Sequence, residues 1–448
     1  MSTDTGSAQR QSLFEGVTAY HWLIVIIAAA GWLFDCMDQR LFVLARESAM
    51  KELLAGDPAA LGELKKYLGY ATTAMILGWA TGGIIFGTLS DKIGRVKTMV
   101  ITLLVYSGFT GLCGLAHSWK IFTLYRFLTG LGIGGMFGAA TSLVAESVPS
   151  GFRAAALGAL QALSATGNIM GSLISMKIPP GAVDFWGNWE GWRVLFFVGI
   201  VPALLVVPIV LFLKEPEAWR RAKQEALSGA AHKQVGSLSD LFSHPRWRRN
   251  TIIGLLLGVS GMIGLWGIGF FSPELISSAL AGQPQSVIDA VRAKATAMQD
   301  VGAFVGMLGF TVLASLVSRR FAFLCAFTLC FATTAYVFHS LKTASDAYWM
   351  LPLMGSAQLA VFAGYSIYFP ELFPTRLRGT GVGFCYNTVR YLAAPAPTLL
   401  GYLSTLMSFR TAAVVMSSVY VIGIVALIWA PETKGRPLPE DEPAGQPA

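Results

Sequence analysis

Gly87-Thr88-Leu89-Ser90-Asp91-Lys92-Ile93-Gly94-Arg95-Val96-Lys97 is a short basic turn between two long apolar runs. An apolar run of about 20 residues can cross a bilayer as a helix, and both flanking runs reach that length. The turn is therefore interpreted as a tight loop at a membrane surface. Its three basic residues predict the cytoplasmic side, because short cytoplasmic loops carry the excess of Lys and Arg. Gly87 would allow close helix contact, Gly94 would permit the reversal, and Asp91 could cap a helix or pair with a cation.

Composition places the whole chain in the membrane class. Of its 448 residues, 54% are hydrophobic and only 13% are charged, which does not describe a soluble surface. The formal charge of +8 is distributed over short loops between apolar runs, and that distribution argues against a nucleic-acid partner. The five cysteines lie in apolar runs without a C-x-x-C pair, so neither disulfide nor metal is predicted.

Counting apolar runs predicts an all-α membrane protein with twelve transmembrane helices in two six-helix halves. The predicted spans are 21–45, 67–89, 97–117, 119–147, 153–177, 192–213, 250–272, 294–317, 319–340, 346–370, 379–405 and 409–430. The corresponding domains are a cytoplasmic tail at 1–20, a first half at 21–213, a cytoplasmic linker at 214–249, a second half at 250–430 and a cytoplasmic tail at 431–448. An even number of spans puts both termini on one side of the membrane.

An internal repeat supports the division into halves. Glu146 to Arg153 and Glu371 to Arg378 both read Glu-x-x-Pro-x-x-x-Arg at the ends of spans 4 and 10. Spans 6 and 12 close with Pro216-Glu217 and Pro431-Glu432. Such a repeat supports a model of two six-helix halves better than the helix count does. The loop at Ser318 to Arg320 keeps a basic pair but lacks the acid of the first loop, so we expect a weaker contact from the second half.

The pattern Gly-x-x-x-Asp-x-x-Gly-Arg at Gly87 to Arg95 resembles the loop between helices 2 and 3 of the major facilitator superfamily. An ordinary basic hairpin is the alternative reading of the same turn. The glycine-rich Arg126 to Gly135 and the stretch Tyr368 to Gly379 extend the resemblance over nearly the whole chain. Within the superfamily the chain is most similar to the group of aromatic-acid:proton symporters, sialic acid permeases and organic anion and cation transporters.

Charged residues inside the predicted spans need a partner or a function, because a charge in the bilayer costs several kcal/mol. Asp35 and Asp38 lie in the outer half of span 1, at a depth similar to that of Arg126 in span 4. We predict that these three residues carry proton coupling, with Arg126 competing for a carboxylate. The alternative is a fixed ion pair that joins spans 1 and 4. Gln299 and Asp300, near the outer end of span 8, are interpreted as a solvated rim.

Arg390 lies about 16 Å along span 11, near the midplane. The repeat aligns it with Ala165, so the charge is a specialisation of one half. A guanidinium there can form a two-pronged bond to a carboxylate, and organic anion transporters carry an arginine in this helix upstream of a proline. The alternative is a structural salt bridge to an acid such as Asp35. The other predicted substrate-binding residues are polar side chains on apolar helices: Asn387, Gln161, Asn168, Tyr365 and Tyr368.

The resemblance implies a secondary active transporter of the inner membrane, not an enzyme, that imports a small organic anion with a proton by alternating access. A sugar or organic-cation porter is the alternative within the superfamily, and a non-transporting nutrient sensor is the alternative outside it. The resemblance implies a gating loop formed by Gly87, Asp91, Gly94, Arg95, Lys97, Glu146, Arg153, Glu371 and Arg378. We expect a monomer in the lipid bilayer, with small-molecule substrate and proton as partners and without cofactor, metal or nucleic acid.

Overall fold

The computed structural model describes residues 14–185, 187–227 and 234–440. Segments 1–13, 228–233 and 441–448, which belong to the expected tails and linker, lie outside the described residues. Local sequence fixes many helix starts: the hydroxyl groups of Thr18, Ser118 and Ser318 each accept a hydrogen bond from the backbone N–H three residues later. At Thr343 this cap is reciprocal, because Asp346 accepts from the Thr343 N–H.

The first group of helices is α1 (Ala19–Leu53), α2 (Pro58–Gly62), α3 (Leu64–Ile93), α4 (Arg95–Cys113), α5 (Trp119–Ser147), α6 (Ser150–Lys177), α7 (Gly191–Val198) and α8 (Val206–Phe212). Two shorter helices follow, α9 (Glu217–Leu227) and α10 (Asp240–Ser243). The second group is α11 (Pro245–Met262), α12 (Ser272–Ala279), α13 (Gln285–Leu316), α14 (Arg319–Ser340), α15 (Ala344–Leu372), α16 (Arg378–Ala393), α17 (Ala396–Leu406), α18 (Phe409–Met416) and α19 (Val419–Ala426). A π-helical segment, Ile263–Ile268, interrupts the seventh predicted span between α11 and α12.

Ten helical stretches of the described chain are long and apolar enough to cross a membrane by themselves. The remaining two predicted spans are formed by α6 and by α16 with α17. These two carry the polar side chains predicted to bind substrate, including Gln161, Asn168, Asn387 and Arg390. These polar side chains lower the hydropathy of both spans, and most residues of α16 are buried inside the protein.

The linker joins the two groups of helices at one face of the bundle. Trp219 of α9 is buried, and its Nε1–H donates to the backbone carbonyl of Asp91 at 2.6 Å. The Gly236 N–H donates to the Arg376 carbonyl at 2.9 Å, which brings the linker to the second half. We call this face, which carries the turn between α3 and α4, the Asp91 face.

Candidate functional site

Each half carries a buried arginine–glutamate pair at the Asp91 face. Arg95 contacts Glu146 at 2.9 Å, and Arg319 contacts Glu371 at 3.1 Å. In both cases the guanidinium also donates to the backbone carbonyl five residues earlier, at 2.8 and 2.7 Å. The two halves therefore use the same contacts at equivalent positions of the sequence repeat.

A second glutamate in each half accepts hydrogen bonds from the start of a helix. The N–H groups of Arg95 and Lys97 donate to Glu215 at 2.7 and 3.2 Å, while the Lys97 side chain is exposed. The first N–H groups of α14 donate to Glu432 at 3.1 and 3.2 Å. The sequence repeat aligned Glu432 with Glu217, but Glu217 is exposed and the equivalent contact belongs to Glu215. A carboxylate at a helix N-terminus is stabilised by the helix dipole.

Asp91 joins the two halves by binding the start of α16. It accepts hydrogen bonds from the N–H groups of Gly379 and Thr380 at 3.0 and 2.7 Å, and from the Thr380 hydroxyl at 2.6 Å. Arg378, at the same helix start, crosses in the other direction and contacts Glu146 at 2.6 Å. The bundle is consequently closed at the Asp91 face by buried, charge-assisted hydrogen bonds.

The residues that the repeat aligns with Asp91 and Arg378, which are Ser315 and Arg153, make their described hydrogen bonds within their own halves. Ser315, which stands where the repeat would place an acid, donates to the Thr311 carbonyl of its own helix at 2.7 Å. Arg153 donates through Nε to the Ala145 carbonyl at 3.0 Å. The closure is therefore asymmetric, because both acids that bind across the halves in it, Asp91 and Glu146, come from the first half.

Glycines bring α3 and α16 to backbone contact near this closure. A Cβ atom at Gly87 would lie 2.6 Å from the Gly379 carbonyl oxygen, closer than real Cβ atoms approach. Gly94 has φ 122°, in the region that glycine alone adopts readily, and it makes the reversal between α3 and α4. The predicted roles of Gly87 and Gly94 thus correspond to positions where a side chain does not fit.

An ion pair also joins the halves toward the opposite face. Arg40 of α1 contacts Asp300 of α13 at 2.8 Å, and the two side chains are 30% and 27% exposed. The sequence interpretation of Asp300 as a solvated rim missed this partner. We call this face, where α1 and α13 meet, the Asp300 face.

We predict that reversing the charge at Asp300 destabilises the protein through repulsion with Arg40. Because a partly exposed ion pair contributes on the order of 1 kcal/mol, Asp300→Arg should lower the melting temperature of the purified protein by about 2 °C. The double variant Arg40→Asp with Asp300→Arg should recover it. Glu47→Arg, which changes an exposed pair on the same helix, is the matched control. Failure of the double variant to recover stability would contradict a direct interaction.

The three charges predicted for proton coupling divide into a pair and a single acid. Arg126 contacts Asp38 at 3.1 Å, and the Thr110 hydroxyl donates to the same carboxylate at 2.8 Å. The Arg126 guanidinium also lies 4.3 Å from the ring centre of Phe42. Asp35 is fully buried, and both of its carboxylate oxygens have no hydrogen-bond partner among the described contacts. In this structure the ion pair is therefore Asp38 with Arg126, and Asp35 has no described counter-ion.

Arg390 is the corresponding single cation. It is 4% exposed and donates to the Tyr386 carbonyl at 2.8 Å and to Asn387 Oδ1 at 2.9 Å. The guanidinium lies over the rings of Trp79 and Tyr386, with centroid distances of 3.9 and 4.7 Å. None of its described contacts is a carboxylate, so the alternative salt bridge to Asp35 is not formed in this structure. Cation–π contacts compensate a buried charge only in part.

Aromatic rings fill the space between the halves around Arg390. Phe137 of α5 stacks on Tyr386 of α16 with a centroid distance of 3.9 Å, and Trp32 of α1 lies 5.0 Å from Phe137. The ring of Tyr365 lies beside that of Tyr386, with a centroid distance of 6.3 Å. The Tyr365 hydroxyl donates a hydrogen bond to the Leu257 carbonyl at 2.7 Å. We call Trp32, Trp79, Phe137 and Tyr386 the aromatic cluster.

The remaining predicted binding residues occupy different surroundings. Gln161 accepts a hydrogen bond from the Ser366 hydroxyl at 2.9 Å, which joins α6 to α15 across the halves. Asn168 is half-buried on α6. Tyr368 donates to the Pro431 carbonyl at 2.6 Å, toward the Asp91 face, so it does not lie with Arg390. The polar residues that come together are Arg390 and Asn387, whose side chain orients the guanidinium.

Sequence reasoning missed the aromatic cluster and the role of Glu215. Trp79 is in the middle of an apolar span, one helical turn from Gly83. A glycine one turn away could have indicated that this face of the helix contacts another helix closely. The Trp32 and Trp79 indole N–H groups are buried without a described hydrogen-bond partner, which is unusual for tryptophan. In the described residues, no three His, Cys, Asp or Glu side chains are grouped to hold a metal ion.

Comparison with known proteins assigns the family. The model of the Major Facilitator Superfamily matches residues 25–396. The chain belongs to the Major Facilitator Superfamily. It is 30% identical over 369 residues to the cis,cis-muconate transport protein of Acinetobacter baylyi, which covers 81% of this chain and 84% of that protein. It is 27% identical over 411 residues to a probable 4-methylmuconolactone transporter of Cupriavidus pinatubonensis, with coverage of 91% and 89%.

Solved structures of the superfamily share the fold. The proton:xylose symporter XylE matches with a TM-score of 0.74 at 18% identity, over 94% of this chain and 98% of that one. The human organic anion transporter MFSD10 matches with a TM-score of 0.71 at 14% identity, over 91% and 99%. The predicted all-α fold with two six-helix halves is confirmed, and the chain is a multi-pass membrane transporter of small molecules rather than an enzyme.

Proposed function

We propose that this chain imports a small organic anion, a carboxylate, together with a proton across the inner membrane, and that it works as a monomer. The observation that carries the proposal is Arg390, a buried cation with no acidic partner among the described residues. Relatives named as transporters of muconate, benzoate and gentisate support a small organic anion as substrate. A planar carboxylate would offer two oxygens to the guanidinium and a flat face to the aromatic cluster.

We propose that the Asp91 face is cytoplasmic. The basic residues of the turn and the basic sequence at the start of α11, Pro245-Arg246-Trp247-Arg248-Arg249, both lie at this face. Both termini are then cytoplasmic, and the Arg40–Asp300 pair belongs to the external gate. Transport alternates between opening of this pair and opening of the Asp91 contacts.

Charge compensation provides the coupling between anion and proton. A buried Asp35 carboxylate and a buried Arg390 guanidinium are both costly without a partner. A proton removes the charge of Asp35, and the substrate carboxylate compensates that of Arg390. The loaded transporter is then free of uncompensated charge at both positions, which favours the reorientation of the halves. Asn387 and Tyr386 hold the guanidinium in place, whereas the Asp38–Arg126 pair joins α1 to α5.

Thermal-shift measurements on the purified protein test the substrate class. Ligands that bind only the folded protein raise its melting temperature. We expect cis,cis-muconate and benzoate to raise it, and xylose and tetraethylammonium to leave it unchanged, at both pH 5.5 and pH 7.5. A shift with xylose alone would overturn the carboxylate proposal.

Asp35→Asn should abolish proton-driven accumulation while retaining substrate binding. Symport of one proton with a monoanion accumulates substrate about tenfold per unit of pH gradient, and an amide cannot carry that proton. The variant, reconstituted in liposomes with an acidic exterior, should only equilibrate labelled substrate. Glu47→Gln, an exposed carboxylate change on the same helix, is the control and should accumulate substrate as the wild type does. Wild-type accumulation by Asp35→Asn would remove Asp35 from the coupling.

A further inference from the structure

A cavity of about 430 Å³ lies at the Asp91 face, away from the aromatic cluster. Its walls come from the start of α11, the end of α15 and the chain that follows α19. The charged side chains that line it are Arg246, Arg249, Glu371, Glu432 and Arg436. We call this cavity the arginine pocket.

The two acids of the arginine pocket are already occupied. Glu371 pairs with Arg319 and accepts a hydrogen bond from the Thr433 hydroxyl at 2.6 Å. Glu432 accepts from the Ser318 hydroxyl and from the backbone N–H groups at the start of α14. Partial burial disfavours the charge of Glu432, but these hydrogen bonds outweigh it and hold the pKa of Glu432 below its ordinary value. Neither carboxylate depends on the pocket arginines for compensation.

Two arginines that line the cavity, Arg249 and Arg436, have donors that no described contact uses. Arg249 donates one N–H to the Trp429 carbonyl at 2.7 Å, and a guanidinium has five donors. Arg436 is exposed, and no described contact engages its side chain. With both acids compensated elsewhere, Arg249 on α11 and Arg436 on the C-terminal segment give the pocket positive charge from two segments of the chain.

The arginine pocket is also close to the lipid boundary. Ile428 and Trp429, at the end of the last span, are 67% and 53% exposed on the outside of the bundle. Exposed tryptophan at a span end is typical of the membrane–water interface. The carbonyl of Trp429 is the group that Arg249 binds, so the pocket wall and the interface share a residue.

We propose that the arginine pocket binds a phosphate-bearing anion, either a lipid headgroup or a free phosphate compound. Arginine guanidinium groups match phosphate geometry and bind it with charge-assisted hydrogen bonds. An anion bound by Arg249 and Arg436 connects α11 to the C-terminal segment, beside the Arg319–Glu371 pair. Occupancy therefore stabilises the second half at the face where the bundle closes. This proposal goes beyond the transported substrate and does not depend on it.

Melting temperatures of the full-length protein test the proposal without substrate. In detergent, potassium phosphate is compared with potassium chloride at equal ionic strength. In lipid nanodiscs, phosphatidylcholine alone is compared with phosphatidylcholine containing phosphatidylglycerol. The variants are Arg249→Gln and Arg436→Gln, and the matched control is Arg248→Gln, an exposed neighbour on α11 that does not line the pocket. Each variant is compared with its own melting temperature in the absence of the anion.

We expect the anion to raise the melting temperature of the wild type and of Arg248→Gln. In Arg249→Gln and Arg436→Gln this increase in melting temperature should be smaller by at least half. A rise with inorganic phosphate supports a free phosphate compound, whereas a rise only with phosphatidylglycerol supports a lipid headgroup. No rise under either condition overturns the proposal. Equal rises in all variants overturn it as well, because they would assign the effect to another surface.

Discussion

Replacing Arg390 with lysine is expected to lower uptake of the substrate anion about 100-fold while the protein still folds and inserts. Truncating a buried, hydrogen-bonded charge contact costs about 2–5 kcal/mol, and each 1.4 kcal/mol is a factor of ten. Lysine keeps the positive charge but lacks the planar fork that binds two carboxylate oxygens. Its ammonium group also cannot reproduce the stacking of the guanidinium on Trp79 at 3.9 Å.

The loss should appear mainly as weaker binding. The measurements are initial uptake rates over a range of substrate concentrations in liposomes and the melting-temperature shift with cis,cis-muconate. Arg410→Lys is the matched control, since Arg410 is half-buried in the same half and donates to the Phe338 carbonyl at 3.1 Å. Unchanged substrate affinity in Arg390→Lys would contradict a role of Arg390 in substrate binding.

Features set by local chemistry were predictable from sequence. Gly94 has the positive φ that a reversal after a polar turn requires, and the repeated Glu-x-x-Pro-x-x-x-Arg motif corresponds to equivalent contacts in the two halves. The second half contributes less to the closure of the Asp91 face, and this also follows from a single position. Ser315 offers no carboxylate to the facing helix. These properties depend on residue type and short spacing.

The choice between nearby acids was not predictable. Asp35 and Asp38 lie three residues apart on α1, so they share a face and differ by about 4.5 Å in height. Only the relative height of α1 and α5 decides that Arg126 pairs with Asp38. Glu215 and Glu217 differ by two residues, and the end of α8 decides which one reaches α4. Pair partners between helices depend on helix position, which a single sequence does not contain.

The aromatic cluster was unpredictable for a different reason. The chain contains 28 Phe, 13 Tyr and 12 Trp, and many of them are either buried or exposed on the outside of the bundle. Aromatic residues in spans are therefore too frequent to indicate which of them converge. Arg390 was recognisable because a cation within a span is rare, and its surroundings identify Trp79 and Tyr386 as its neighbours.

Gly383→Val is expected to prevent closure of the Asp91 face and to lower uptake about tenfold or more. A Cβ atom at Gly383 would lie 2.3 Å from the backbone oxygen of Gly83, so the obstacle is backbone that has no alternative rotamer. Overpacking of this kind typically costs 1–3 kcal/mol, and here separating α3 from α16 relieves it. Separation also removes the Asp91 hydrogen bonds to Gly379 and Thr380. Valine therefore favours the state that is open at this face.

The distance between the halves measures this shift directly. Spin labels at Lys97 and Leu316, both exposed at the Asp91 face, are attached to cysteines in a background without the native cysteines. We expect the distance distribution of Gly383→Val to move to longer values than that of the parent protein. Gly401→Val is the matched control, because it lies in the same predicted span and nothing is within 4 Å of its Cβ position. An unchanged distance between the two spin labels, together with reduced uptake, would contradict helix separation as the cause. The contact between Gly383 and the Gly83 backbone would then accommodate a side chain while the Asp91 face stays closed.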